Sequence, residues 1–233
     1  KKHNNLLYFF KLCCFFTTSN NMFNVEKFNE IKEILEKSNK NGKIIAISKN
    51  HPLESILEAI SQGVHIFGEN RVQEAKAKFV KIKADNPKIK LHLTGPLQSN
   101  KVKDALSVFD VFHTIDREKI AIEFSKYQSL LKDKKFLVQV NTGKETTKSG
   151  IFPEHTKDFL LFLKNEINLP IKGLMCIPPV EDDPKHHFNK LQNLAIENGI
   201  NELSIGMSGD YKEAILFKPA YIRLGTILFG ERN

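Results

Sequence analysis

Lys49 is the residue best placed to do covalent chemistry. It follows Ile44-Ile45-Ala46-Ile47-Ser48 and precedes Asn50-His51-Pro52. Four of those first five residues are apolar and three are β-branched, which suits a strand buried on both faces. Such a strand has no use for a lysine in its middle. At its carboxyl end, a lysine faces the mouth of an α/β domain, where ligands bind. Partial burial there penalises the ammonium and frees the amine to attack a carbonyl. A lysine that only snorkels out of a strand end would do none of this.

Two glycine-containing stretches near the C-terminus form a second group. Gly206-Met207-Ser208-Gly209 supplies flexible backbone, a hydroxyl and a helix start, and Gly225-Thr226 supplies the same facing it. Backbone N–H groups at a helix start bind phosphate. Arg223 lies just before the second stretch and is expected to point between these loops and Lys49. Taken singly, the glycines need only make turns.

These residues can meet only if the elements between them bring them to one face. A helical apolar face runs through Phe23, Val25, Phe28, Ile31, Ile34 and Leu35 and stops near Asn41-Gly42. After it, strands are predicted at 44–48, 64–67, 90–93, 108–113, 136–140, 171–175, 202–205 and 221–224. Helices alternate with them, at 53–61, 71–84, 100–106, from Asp116 as cap to Leu131, 153–165, 184–198 and 209–217. Eight such alternations imply parallel strands with helical crossovers, and so a single closed (β/α)8 TIM barrel with an extra N-terminal helix. An open doubly wound sheet is the other arrangement of this pattern. No composition break divides residues 22–233, so they are expected to form one domain.

In a barrel, the strand carboxyl ends make the functional face, and the loops after the seventh and eighth strands often bind phosphate. A lysine amine opposite a phosphate site suits a phosphorylated aldehyde. Pyridoxal 5′-phosphate fits: Lys49 forms the Schiff base, the two loops hold the phosphate, and an arginine meets the pyridine nitrogen.

The blocks AISKNHP, FGENRVQE, LHLTGPLQSNK, FHTIDR, VQVNTGKETTKSGI, IKGLMCIPP, LSIGMSGDYKEAI and IRLGTILFGER occur in this order from about Lys43 to Arg232. Together they resemble the YggS/PROSC family of pyridoxal phosphate homeostasis proteins. The resemblance implies one barrel similar to the N-terminal domain of alanine racemase. It implies that Lys49 carries pyridoxal 5′-phosphate, that Ser208, Gly225 and Thr226 bind its phosphate, and that Arg223 faces the ring nitrogen. Asn70 would lie on the cofactor side of the same mouth. The sequence departs from the family at Leu91, where tryptophan is frequent, and at Arg71, where tyrosine is frequent.

The expected function is therefore a cofactor carrier or buffer in vitamin B6 homeostasis, with apo-enzymes that use the cofactor as recipients. An amino-acid racemase is the alternative. Arg223 beside the ring nitrogen would disfavour its protonation and weaken the ring as an electron sink. No general base is evident on the opposite face, and the sequence ends at Asn233 without the second β-domain of alanine racemase.

The net charge of +8 is lysine-rich, with only Arg71, Arg117, Arg223 and Arg232 as arginines. Acidic residues interleave with the lysines, so the pattern is that of a solvated surface and not of a nucleic-acid reader. No apolar run is long enough to span a bilayer. Cys13, Cys14 and Cys176 have no metal or disulfide spacing, which suits a reducing, cytoplasmic setting. A monomer without a metal site is expected. Residues 1–21 start basic and then run LLYFF, as a signal peptide does, but Lys11 interrupts them and no small-x-small site follows. They are expected to be an extraneous or disordered leader before Met22. His92 and His113 are expected as core or rim histidines, His186-His187 as neighbours on different helix faces, and Cys176 as a buried inert thiol.

Overall fold

The computed structural model of the chain describes residues 23–231. The expected leader, 1–21, lies outside the described residues. A first helix, α1 (Val25–Ser38), is capped by Asn24, whose side chain accepts from Lys27 N at 2.9 Å. Then strands and helices alternate: β1 (Lys43–Ile47), α2 (Leu53–Ser61), β2 (Ile66–Glu69), α3 (Val72–Asp85), β3 (Lys90–Leu93), α4 (Val102–Val108), β4 (Val111–Ile115) and α5 (Glu118–Ser125). The second half repeats the pattern: β5 (Lys135–Gln139), α6 (Thr156–Asn165), β6 (Ile171–Met175), α7 (Pro184–Glu197), β7 (Glu202–Ser204), α8 (Tyr211–Ile215), β8 (Tyr221–Leu224) and α9 (Thr226–Phe229). The eight strands are parallel, pair in sequence order and close through β1 and β8, with Ile45 opposite Arg223.

The apolar run of β1 is explained by its two neighbourhoods. Ile44 and Ala46 pack into the layer between barrel and helices, where Phe67, Phe79, Phe112 and Phe136 also lie. Ile45 and Ile47 pack inside the barrel with Val111, Leu137 and Tyr221. Both faces are dry, so the strand cannot alternate apolar with polar. Helix α1 packs along the barrel beside α9: Asn24 N donates to Leu228 O, and the Phe23 and Phe229 rings lie 5.3 Å apart.

Several boundaries move from their predicted places. The second and fourth strands begin later, because the apolar residues before them still close the preceding helices. Val64 N donates to Ala59 O and Phe109 N to Ala105 O. Asp116 does not cap a helix; it pairs with the Arg117 guanidinium, and α5 ends at Ser125 before a 3-10 turn at Gln128–Leu130. Ile34, expected on the inward face of the first helix, is 43% exposed. Among the described residues, no helix is long and apolar enough to cross a membrane.

Candidate functional site

Lys49 stands two residues beyond β1, half-buried, at the same parity as the inward Ile45 and Ile47. The turn that carries it is held from behind on both sides. Ser48 Oγ donates to Glu69 Oε1 at 2.7 Å, and Ser48 O accepts from Lys78 Nζ at 3.0 Å. On the other flank, Asn50 adopts a left-handed φ of 62° and its N–H donates to Glu74 Oε1 at 2.7 Å. Lys78 joins the two flanks, lying 3.3 Å from Glu69 Oε1 and 2.6 Å from Glu74 Oε1. Helix α3 thus clamps the backbone on both sides of Lys49.

Arg223 is inward on β8 and almost wholly buried. Its Nη1 donates to Ser204 O at 2.7 Å and to Ser204 Oγ at 2.8 Å, and its Nη2 donates to Cys176 O at 2.9 Å. Among the described residues no carboxylate forms an ion pair with it, and Nε takes no part in these bonds. A buried cation held only by carbonyls and a hydroxyl is poised for a further acceptor or anion. Cys176 is buried, as expected, and burial pushes its thiol up to about 12.

After β7 and β8 the two loops meet. Ser208 Oγ lies 3.3 Å from Gly225 N and 3.4 Å from Ile227 N, at the start of α9. Thr226, half-exposed, is the first residue of that helix. Gly206 sets the geometry: its φ is +87°, and a Cβ there would sit 2.6 Å from the Ala214 Cβ. Asn70, just past β2, is half-buried, and its Oδ1 accepts from Thr94 Oγ1 at 3.0 Å. A Cβ on Gly95 would come within 2.7 Å of the Asn70 Cβ, so only glycine lets the β3 loop close over it. The fold therefore brings all six sequence-derived residues to the strand carboxyl ends: Lys49 after β1, Asn70 after β2, Ser208 after β7, Arg223 on β8, and Gly225 and Thr226 after it.

Residues 26–233 match the family described as alanine racemase, N-terminal domain. A pyridoxal phosphate homeostasis protein of Vibrio cholerae is 40% identical over 201 residues, covering 82% of this chain and 85% of its own. The chain belongs to the pyridoxal phosphate homeostasis protein family. Among solved structures, PipY of Synechococcus elongatus without PLP superimposes with a TM-score of 0.80 at 34% identity, covering 88% of this chain and 99% of its own. The same protein with PLP bound gives 0.76 at 33% identity, with the same coverage. Alanine racemase from Acinetobacter baumannii shares the fold alone, with a TM-score of 0.68 at 14% identity over 88% of this chain and 61% of its own.

For this member of the homeostasis family, the sequence pattern missed the residues that support the site. Ser48, Glu69, Glu74 and Lys78 are one group of them. His92, His113 and Ser204 are the other. The signal was strand parity: Ser204 stands at an inward position of a buried strand, as His92 and His113 do, where a polar side chain needs a partner. His92 and His113 prove to be core histidines inside the barrel. His187 is buried against Thr142 Oγ1 at 3.0 Å and Asp182 Oδ2 at 3.1 Å, while His186 is exposed.

Proposed function

We propose that this protein holds pyridoxal 5′-phosphate at the mouth of its barrel and acts in vitamin B6 homeostasis as a carrier or buffer. The observation that carries this reading is Arg223. A buried guanidinium that forms no ion pair with a carboxylate among the described residues, with Nε outside its three bonds, suits an aromatic ring nitrogen that accepts a hydrogen bond. The remaining donors fit the other end of such a ligand. Ser208 Oγ, Gly225 N–H and Ile227 N–H converge near one point and would meet a phosphate, with Thr226 beside them. Lys49 supplies the amine that would hold the aldehyde, and Asn70 lines the same mouth.

When bound, pyridoxal 5′-phosphate supplies an aldehyde reactive toward amines and a ring that can accept electrons. This chain's own residues favour the first property over the second. Arg223 is already cationic, so it disfavours a proton on an adjacent ring nitrogen. The α3 clamp fixes the Lys49 turn, which favours retention at one lysine. These features support holding and delivery to apo-enzymes over amino-acid chemistry. The reading extends to a monomer in the cytoplasm.

The test is a titration of the protein with pyridoxal 5′-phosphate and with pyridoxal, followed by absorbance. Saturable binding of the phosphorylated form, at least about tenfold tighter than pyridoxal, is expected. Equal affinity for the two would remove the phosphate loops from the reading.

A further inference from the structure

The barrel interior holds a chain of polar groups that the lysine and the phosphate loops do not use. His92 Nδ1 lies 2.9 Å from His113 Nε2, and His113 Nδ1 lies 2.9 Å from Ser204 Oγ. The same Oγ accepts from Arg223 Nη1 at 2.8 Å. All four side chains are buried. Tyr221 packs its ring edge-on to both imidazoles at 5.3 and 5.2 Å, and its hydroxyl donates to Glu202 Oε2 at 3.0 Å. The chain thus runs across the barrel from β3 through β4 and β7 to β8.

Its direction follows from what each group can do. A guanidinium only donates, so Ser204 Oγ accepts from Arg223. The serine hydrogen then has His113 Nδ1 as its acceptor. If His113 Nδ1 carried the proton instead, the serine hydrogen would be stranded in a dry interior, which is costly. With Nδ1 accepting, His113 Nε2–H donates to His92 Nδ1, and His92 carries its own proton on Nε2. We propose that His113 and His92 are positioning residues for Arg223: through Ser204 they form a one-way hydrogen-bond chain that fixes the guanidinium plane and makes the site prefer a ligand with an acceptor nitrogen in its ring. Burial holds both imidazoles well below the ordinary histidine range, His92 down to about 3, so neither adds a second positive charge beside Arg223.

This inference rests on the reading that Arg223 meets the ring nitrogen, and one measurement separates the two. The probes are pyridoxal 5′-phosphate and its 1-deaza analogue, in which a C–H replaces the ring nitrogen. The wild type should bind the natural form about tenfold tighter. Arg223→Gln should abolish that preference. His113→Phe and Ser204→Ala should reduce it to about twofold or less, while leaving affinity for the deaza analogue nearly unchanged. Loss of both affinities together would mark a structural role only and overturn the proposal. No preference in the wild type would remove Arg223 from the ring nitrogen, and the inference with it. A preference lost in Arg223→Gln but kept in His113→Phe and Ser204→Ala would overturn the inference alone. Should those variants fail to fold, nitrogen-15 NMR of the wild type decides: protons on Nε2 of both imidazoles are expected, and a proton on Nδ1 of His113 would overturn the chain.

Discussion

Lys49 owes its position to the residues on either side of it. Ser48 and Asn50 are tied to α3 through Glu69, Glu74 and Lys78. Borohydride added to the cofactor-loaded protein should therefore fix the cofactor to Lys49, read by peptide mass, and Lys49→Ala should fold normally but retain none. Label on another lysine with Lys49 unmodified would refute the assignment. Glu69 gives a second test. Burial pushes its pKa up to about 7 against the pull of Lys78 and Ser48, and its Oε2 has no hydrogen-bond partner. Between the ordinary carboxylate range and about 7 the folded protein holds a proton here that the unfolded chain has released. This contribution to stability is complete at low pH and is lost as pH rises through about 7. His92 and His113 act oppositely: burial keeps them neutral, so their contribution is lost as pH falls below the ordinary histidine range. Urea unfolding of wild type and Glu69→Gln separates the two. From about pH 5 to about pH 8 the wild type should lose roughly 2 kcal/mol relative to the variant. Parallel pH profiles would mean that Glu69 is ionised throughout.

In the proposed function, the elements that matter most for ligand capture are the two loops after β7 and β8. The N–H groups of Gly225 and Ile227, at the start of α9, are within reach of Ser208 Oγ, which spaces the two loops and, in the proposed function, would also donate to the ligand. Ser208→Ala and Thr226→Val should each weaken pyridoxal 5′-phosphate binding by about 1–3 kcal/mol, because each removes a hydrogen bond to a charged group. Affinity for pyridoxal should barely change in either variant. An equal loss for both ligands would point to collapse of the loop and not to a phosphate contact. Gly206→Ala is the control for collapse. Its left-handed φ and the Ala214 Cβ leave no room for a methyl group, so thermal unfolding should come at lower temperature with or without ligand.

At the scale of the whole molecule, the question is whether the barrel only holds its cofactor or also turns over amino acids. Amino-acid racemisation needs a base on each face and a ring that holds charge. Beside the ring nitrogen, as proposed, Arg223 would oppose the second requirement. Incubated with L- or D-alanine in heavy water, the loaded protein should exchange the Cα hydrogen no faster than free cofactor. It should pass pyridoxal 5′-phosphate to an added apo-enzyme, read as regained activity of that enzyme. Exchange at about 1 per second or faster, abolished by Lys49→Ala, would make it a racemase. In sedimentation the full chain should run as a single 26.7 kDa species.

The sequence by itself determined the barrel and the mouth. Eight apolar runs separated by helical periods admit few arrangements, because buried parallel strands need crossovers that cover both faces. Polar residues and glycines at strand ends then fall on one rim, which is why Lys49, Ser208, Arg223, Gly225 and Thr226 were legible from strand position, and Asn70 from its motif. Strand starts were less legible, since Val64 and Phe109 are equally at home closing a helix or opening a strand. Only the tertiary structure decided what stands behind the site. Lys78 and Ser48 are 30 residues apart, and His113 and Ser204 are 91 apart. Periodicity tells which face a side chain takes, but not which distant side chain meets it there. That is set by the register with which β1 closes on β8 and by the burial that obliges each inward polar group to find a partner.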